Sequence, residues 1–291
     1  MNHTAHPAPA AIETVLESAS AQLATVPDCP ALEAQVLLGH ALGKDRTHLI
    51  AWPERTLEGA QLSDFQALVR RRRGGEPLAY ITGRREFWSL ALEVSPHTLI
   101  PRPETELLVE LALAHLPPGE RRCVADVGTG SGAIALAIAA ERPLVRVIAT
   151  DIAADTLAVA RRNAERLGLG NVEFRRGHWL APLAGEDLDV LCCNPPYLRD
   201  DDPHLQAGDL PHEPRGALAA GPTGLEAIET IAGQGAAQLK PGARLVMEHG
   251  YDQAAAVARC LTNAGFDAVV THRDLAGHER TTACKKGSGH G

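Results

Sequence analysis

The tetrapeptide Asn194-Pro195-Pro196-Tyr197 follows directly on the apolar run "LDVLCC". One proline would end a strand, since it lacks an N–H and fixes its own φ. Two in a row do more: each biases the residue before it toward extended backbone, so the tetrapeptide is stiff. It offers acceptors in fixed places, namely the Asn194 side-chain oxygen and backbone carbonyls with no competing N–H beside them. Two such acceptors can hold both hydrogens of a planar NH2 group, and Tyr197 can lie against its flat face. A planar amide or aromatic amine is a poor nucleophile, because its lone pair is delocalised. Holding both N–H bonds orients the nitrogen and helps it become tetrahedral as it attacks. The matching chemistry is in-line transfer of a methyl from a sulfonium, in which charge declines and no metal is needed. Positioning of this kind lowers a barrier by roughly 7–11 kcal/mol in well-oriented systems. No strong general base stands nearby, and proton loss can follow the transfer.

A second group of residues could hold the methyl donor. "DVGTGSGAIALA" carries Gly128, Thr129, Gly130, Ser131 and Gly132 at the end of an expected strand. Its glycines permit a sharp turn and close backbone approach to a ligand. Asp151 ends the next expected strand, where an acid can accept hydrogen bonds from a ribose diol. Glycine spacing alone leaves S-adenosylmethionine and NAD both open, and it also suits a turn that only packs a helix on a strand. The amine clamp separates them, because a dehydrogenase has no use for it. Loop and clamp together indicate a methyltransferase.

These residues need a sheet to bring them to one edge. From Pro103 onward, strand and helix patterns alternate: "ETELLVELALAHL" (helix), "CVADVG" (strand), "AIALAIAAER" (helix), "VRVIATDI" (strand), "ADTLAVARRNAERLG" (helix), "VEFRRG" and "LDVLCCN" (strands), then "GLEAIETIAGQGAAQL" (helix), "ARLVMEHG" (strand) and "YDQAAAVARCLTNAG" (helix). Repeated βα units predict a mostly parallel sheet with helices on both faces. "DAVVTHRDL" and "RTTACKK" follow without a helix between them and should form an antiparallel hairpin at one side. Up to about Tyr80 the apolar spacing is helical throughout, without strand-like alternation, which predicts a small helical domain. "REFWSLALEVSPHTLI" alternates and reads as a bridging β-hairpin. The expected organisation is therefore a helical domain over 1–82, a hairpin linker over 83–101, an α/β methyltransferase domain over 102–286 and a disordered tail over 287–291.

Composition narrows the classes. Of 291 residues, 45% are hydrophobic and 22% charged, as in soluble globular proteins with a full core. The net charge of −8 argues against general binding to nucleic acid or anionic membranes. The six cysteines include no C-x-x-C pair, and Cys192 and Cys193 should face opposite sides of a strand, so a reduced protein with core cysteines is expected. The thirteen histidines form no ligand-spaced pair, so no metal site is expected. The start "MNHTAHPAPAA" lacks the pattern of a secretory signal, and "AIALAIAA" is too short to span a bilayer. A cytoplasmic location follows.

"DVGTGSGAIALA", "TDIAADTLAVARRNA" and the Asn194–Tyr197 tetrapeptide at these separations resemble S-adenosylmethionine-dependent methyltransferases acting on planar nitrogen, a signature shared with DNA adenine methyltransferases. "EFWSLALEVSPHTLIPRPETELLVE", "NPPYLRDDDPHLQAGDLPHEPRGALAAGPTGL", "MEHGYDQ" and "DLAGHERTT" more closely resemble the peptide chain release factor glutamine methyltransferases. The resemblance implies an N-terminal helical domain that recognises substrate, a hairpin linker and a seven-stranded Rossmann-like sheet with an antiparallel hairpin. It implies methylation of the glutamine amide in the Gly-Gly-Gln motif of release factors, with S-adenosyl-L-homocysteine as product and the enzyme a monomer. Gly128 to Gly132, Asp151, Trp179 in "GHWLAP" and Asn194 would bind the cofactor, and Asn194, Pro195, Pro196 and Tyr197 would grip the glutamine. Methylation of a ribosomal-protein glutamine and DNA adenine N6-methylation are the alternatives; the acidic balance opposes the second.

Other residues carry two readings each. Arg70 to Arg73 either complement a helix C-terminus or contact substrate. Arg102 and Glu104 either lie near the cofactor edge or support the following helix. "RDDDPH" is either a solvated loop or a substrate contact, Trp88 either packs or recognises, and Asp126 either meets the cofactor or supports the glycine loop.

Overall fold

The computed structural model describes residues 8–24 and 29–288. The chain divides into two compact units, Met1–Gly83 with Gln206–His212, and Arg84–Leu205 with Glu213–Gly291.

The first unit is helical: α1 (Ile12–Gln22), α2 (Pro30–Leu42), α3 (Arg46–Ala51), α4 (Gly59–Arg73) and α5 (Leu78–Thr82). Their starts and stops are local chemistry. α2 opens on Pro30 and closes on Gly43 in the left-handed region. Asp45 caps α3 by accepting from the His48 N–H at 2.8 Å, and Glu58 and Gln61 form a reciprocal capping box on α4. Leu23, Leu37, Leu38 and Phe65 fill the interior. The expectation of no strand here needs one correction. β1 (Ala10–Ala11) pairs antiparallel with β2 (Thr56–Leu57), a two-residue ladder too short to show alternation. The arginine run splits by burial. Arg71 meets Glu76 at the surface. Arg72 is buried, pairs in two-pronged fashion with buried Glu33 at 2.7 and 3.0 Å, and also reaches Asp209 at 2.9 Å. The segment 206–212, far along the chain, is thus part of this unit.

The second unit begins with the expected hairpin, β3 (Arg84–Phe87) and β4 (Leu90–Glu93). Its two-residue turn places Trp88 and Ser89 at φ of 52° and 57°, the backbone that matches strand twist in tight hairpins. The Trp88 indole packs on the core and donates to Glu141 at 2.9 Å, which makes it a packing residue. After α6 (Glu106–Leu113) come β5 (Cys123–Val127), α7 (Ala133–Glu141), β6 (Arg146–Asp151), α8 (Ala154–Leu167), β7 (Val172–Arg176), β8 (Val190–Cys193), α9 (Glu226–Gln238), β9 (Arg244–Glu248), α10 (Ala254–Asn263), β10 (Phe266–Arg273) and β11 (Glu279–Lys286).

Seven strands form one sheet in the order β10-β11-β9-β8-β5-β6-β7. Five are parallel, and β11 runs antiparallel between β9 and β10. Helices α6, α7 and α8 cover one face, while α9 and α10 cover the other. Both faces being covered explains the near-continuous apolar strands. Cys192 enters the first core and Cys193 the second, as strand geometry requires. Strand order reverses between β5 and β8, so the loops after those two strands diverge there and leave a crevice. Residues 289–291 of the expected tail lie outside the described residues, and Gly287 packs against Gly265 and Asp267. Among the described residues no helix is long and apolar enough to cross a membrane.

Candidate active site

Register builds the site. Val127 of β5 pairs with Thr150 of β6 and with Cys193 of β8, and Cys193 pairs with Met247 of β9. The next residue on each strand is Asp151, Gly128, Asn194 or Glu248. Those four stand in one row across four neighbouring parallel strands, about 4.8 Å from one strand to the next.

Gly128, Gly130 and Gly132 have φ of 73°, 59° and 89°, so the loop between β5 and α7 uses conformations that side chains avoid. A Cβ on Gly132 would also stand 3.0 Å from the Leu136 side chain. The Gly128 and Thr129 N–H groups both donate to the Thr150 carbonyl at 2.9 Å. Asp126 lies beneath the loop, fully buried, where Oδ2 accepts from the Thr129 hydroxyl at 2.6 Å and from the Ala135 N–H at 3.1 Å. Supporting the loop is therefore its visible work. Burial lifts its carboxyl to about 7 against those two hydrogen bonds. Asp151 accepts from the Gly130 N–H at 3.2 Å and from the Ala153 N–H at 3.0 Å, tying the loop to the start of α8. Burial raises its carboxyl above the usual range, and its backbone donors oppose that. Trp179 has a φ of 48°, rare for a residue with a side chain, and its ring edge lies 3.7 Å from where a Cβ on Gly128 would stand. The loop, Asp151 and Trp179 thus stand together at this edge of the sheet. Around it Asp126 Oδ1, Ser131 Oγ and Thr150 Oγ1 are buried polar atoms with no partner among the described residues.

Across the strand reversal, Asn194 donates from Nδ2 to the Thr105 hydroxyl at 3.3 Å. The tetrapeptide is held from behind. Gln253 Nε2 donates to the Tyr197 carbonyl at 2.9 Å, and Gly224 lies so close that a Cβ there would be 2.5 Å from that oxygen. Leu198 then exchanges backbone hydrogen bonds with the segment at Leu218–Ala220. Tyr197 is half-buried, and desolvation pushes its phenol up to about 12, so it stays neutral. Among the described residues no His, Cys, Asp and Glu cluster could hold a metal ion.

A family model described as the PrmC N-terminal domain matches residues 14–83, and one described as the methyltransferase small domain matches 104–210. The chain is 48% identical to the release factor glutamine methyltransferase of Vibrio cholerae, over 93% of this chain and 95% of that one. It is 51% identical to that of Xylella fastidiosa, over 86% and 91%, and 46% identical to that of Escherichia coli, over 88% and 92%. The chain belongs to the release factor glutamine methyltransferase family. Among solved structures, a methyltransferase from Pyrococcus furiosus superposes with a TM-score of 0.52 at 18% identity, over 77% of this chain and 99% of that one. The 16S rRNA N2 G1207 methyltransferase of T. thermophilus, in complex with AdoMet and guanosine, also gives 0.52 at 18%, over 70% and 49%. At that identity these two speak to the fold alone.

In this family member, four polar residues around the clamp, Thr105, Glu213, Gln253 and Glu248, escape a reading of the sequence. Thr105 of the "IPRPETE" segment is buried and touches Asn194, a contact not foreseen for that segment. Arg102 pairs with Glu213, whose side chain is fully buried and also accepts from the Ile100 N–H at 2.9 Å. Gln253 braces Tyr197, and Glu248 stands beside Asn194 with its carboxyl lifted by burial to about 7. The motif "MEHGYDQ" was the available signal for the last two, since it places an acid at a strand end facing the same edge. "RDDDPH" forms a solvated loop in which Arg199 pairs with Asp201 and Asp202 with His204.

Proposed function

We propose that this enzyme methylates the side-chain amide nitrogen of the glutamine in the Gly-Gly-Gln motif of peptide chain release factors, using S-adenosylmethionine. The observation that carries the reading is the register of β5 against β8, which sets Gly128 and Asn194 side by side. A donor recess and an amide clamp on adjoining strands suit direct transfer between two bound groups. The family membership gives the substrate its name.

The recess residues fit such a cofactor. Gly128 to Gly132 offer backbone without side chains in the way, Asp151 offers a carboxylate for the ribose hydroxyls, and Trp179 offers an aromatic face for a base. The orphaned polar atoms of Asp126, Ser131 and Thr150 are what a polar ligand would engage. S-adenosylmethionine, when bound, supplies an electrophilic methyl on a sulfonium. On the other side, the Asn194 side-chain oxygen and the Pro195 carbonyl accept the two hydrogens of the glutamine amide. Tyr197 covers the amide plane, and Pro196 keeps the spacing rigid. Held so, the amide turns its free face, and with it the nitrogen lone-pair axis perpendicular to the amide plane, toward the donor recess, with Tyr197 on the opposite face. Neutral Tyr197 puts no negative charge beside a cation, and the proton of the methylated nitrogen is lost to solvent after transfer.

Mass spectrometry of a purified release factor, incubated with enzyme and S-adenosylmethionine, tests the reading. A single added methyl on the Gly-Gly-Gln glutamine, absent when that glutamine is replaced, is the expected result. No methylation of release factor under conditions where the enzyme binds cofactor would overturn it.

A further inference from the structure

A carbonyl only accepts, so the Tyr197 carbonyl that closes the tetrapeptide is held by whatever donors are brought to it. Gln253 Nε2 brings one at 2.9 Å, and the same nitrogen reaches the Gly224 carbonyl at 3.3 Å. Tyr197 and Gly224 flank the segment 198–223, so one NH2 group ties both of its ends together. The other arm of the Gln253 carboxamide, its oxygen, accepts from the Gly250 N–H at 2.9 Å. That bond decides which arm faces Tyr197. Gly250 is itself fixed, since its carbonyl accepts from the Gln253 N–H and from His249 Nδ1, each at 2.9 Å. His249 is fully buried, and with its proton on Nδ1 its Nε2 accepts from the Thr282 hydroxyl at 2.9 Å. The Thr271 hydroxyl then donates to the Thr282 oxygen, also at 2.9 Å. The set runs from the β10–β11 hairpin to the tetrapeptide, and one orientation of Gln253 satisfies it.

We infer that Gln253 is a positioning residue for methyl transfer: its amide pins the Tyr197 carbonyl and thereby sets the Tyr197 ring against the substrate amide. The inference rests on the reading of Asn194 to Tyr197 as the amide clamp. Two observations favour it over a plain helix-capping role. Gln253 occupies the N-cap of α10, yet its side chain makes no capping bond to that helix. Ser, Thr, Asp or Asn would be the usual choice for capping, and the longer Gln253 reaches back to the clamp instead. Gly224, at a φ of 74°, is shaped for the same contact. A Cβ there would stand 2.5 Å from the Tyr197 oxygen and 3.1 Å from Gln253 Nε2, so only glycine lets the two meet.

The test is single-turnover methylation of a purified release factor, with enzyme in excess and saturating S-adenosylmethionine. Gln253→Met keeps the length of the side chain and removes both hydrogen-bonding arms. The transfer rate should fall about 10- to 100-fold, the loss expected when a group at the reacting centre shifts by about 1 Å. Cofactor Kd and release-factor KM should stay within about twofold, since the loss is felt in the transfer step. Gly224→Ala drives a Cβ against the same oxygen and should slow transfer by a similar factor. In a Tyr197→Ala background, Gln253→Met should cost less than about twofold, because there is no ring left to place. A Gln253→Met rate within about twofold of wild type, or the same fold loss with and without the Tyr197 ring, would overturn the inference and leave the clamp standing. Undiminished transfer by Tyr197→Ala would instead remove Tyr197 from the clamp, and this inference with it. Thermal melts of each variant set the assay temperature below unfolding, so that a slow rate reports transfer and not loss of fold.

Discussion

Asp151 is the residue on which the donor recess can be tested most directly. Asp151→Ala removes the carboxylate proposed for the ribose hydroxyls, and hydrogen bonds to a charged group are worth about 1.5–3 kcal/mol. That predicts a rise in cofactor Kd of roughly 10- to 150-fold. The structure adds a second effect. The same carboxylate accepts from Gly130 and Ala153, so the variant also frees two backbone donors at the loop and at the start of α8. Each backbone hydrogen bond lost costs about 0.5–1.5 kcal/mol, visible as a lower Tm. The two effects part company in Asp151→Asn, which keeps one acceptor oxygen but no charge. Titration calorimetry with S-adenosylmethionine and thermal melts of the cofactor-free proteins measure them separately. Asp151→Asn keeps an acceptor for only one of the two backbone donors, which use different oxygens, so it should regain part of the Tm and little of the affinity. If both variants bind cofactor as the wild type does while Tm falls, Asp151 serves only to tie the loop to α8, and the cofactor lies elsewhere.

Asn194→Ala should lower kcat by about 10²–10³-fold, since one well-placed polar contact at a reacting centre is worth about 2.7–4 kcal/mol in activation free energy, with Kd for cofactor nearly unchanged by calorimetry. Asn194→Asp keeps the size but adds a negative charge, which favours the cationic ground state and should slow turnover without weakening cofactor binding. Gly132→Ala forces a side chain into φ of 89° against Leu136 and should destabilise the protein by about 1–3 kcal/mol in urea unfolding. Arg72→Ala leaves Glu33 buried and unpaired in the helical unit and should cost about 3–5 kcal/mol by the same assay. Asp126 is held at about 7 in the folded protein, above its unfolded value, so its share of stability is fully present below pH ~4 and is lost as pH rises through about 7, at up to ~1.4 kcal/mol per pH unit. Half-buried His115 and buried His249 have lowered values and pull the opposite way; the measurement is therefore the difference between wild type and Asp126→Asn from pH 5 to 8, expected to shrink in the wild type's disfavour as pH rises.

The fold was legible where local signals are strong. Gly168 ends α8 in the left-handed conformation that its place after "RNAERL" foretold. The lack of a helix between β10 and β11 announced their antiparallel pairing. What escaped was short or distant. Helices α3 and α5 span six and five residues, less than two turns, so apolar periodicity had nothing to repeat over. Residues 206–212 belong to the helical unit, yet their neighbours in sequence are part of the clamp loop. The bond that fixes them, Arg72 to Asp209, joins residues 137 positions apart.

The site divides along the same line. Gly128 to Gly132 and Asn194 to Tyr197 are continuous segments whose chemistry is written in neighbouring residues: glycines where φ is positive, prolines where backbone must be stiff. Glu248 and Thr105 carry no such mark. A lone acid at a strand end and a threonine at a helix start are ordinary in sequence; they acquire meaning only from the register that sets Glu248 beside Asn194 and from the turn at Pro103–Thr105 that carries the hydroxyl to the same point. Register between strands is a sum of many weak cross-strand contacts rather than a property of any one segment. A one-residue slip of β9 against β8 would keep every motif intact and still turn Glu248 to the opposite face, away from Thr105. The glycine loop and the tetrapeptide can therefore be read from motifs, whereas the residues that stand beside them depend on the assembled sheet.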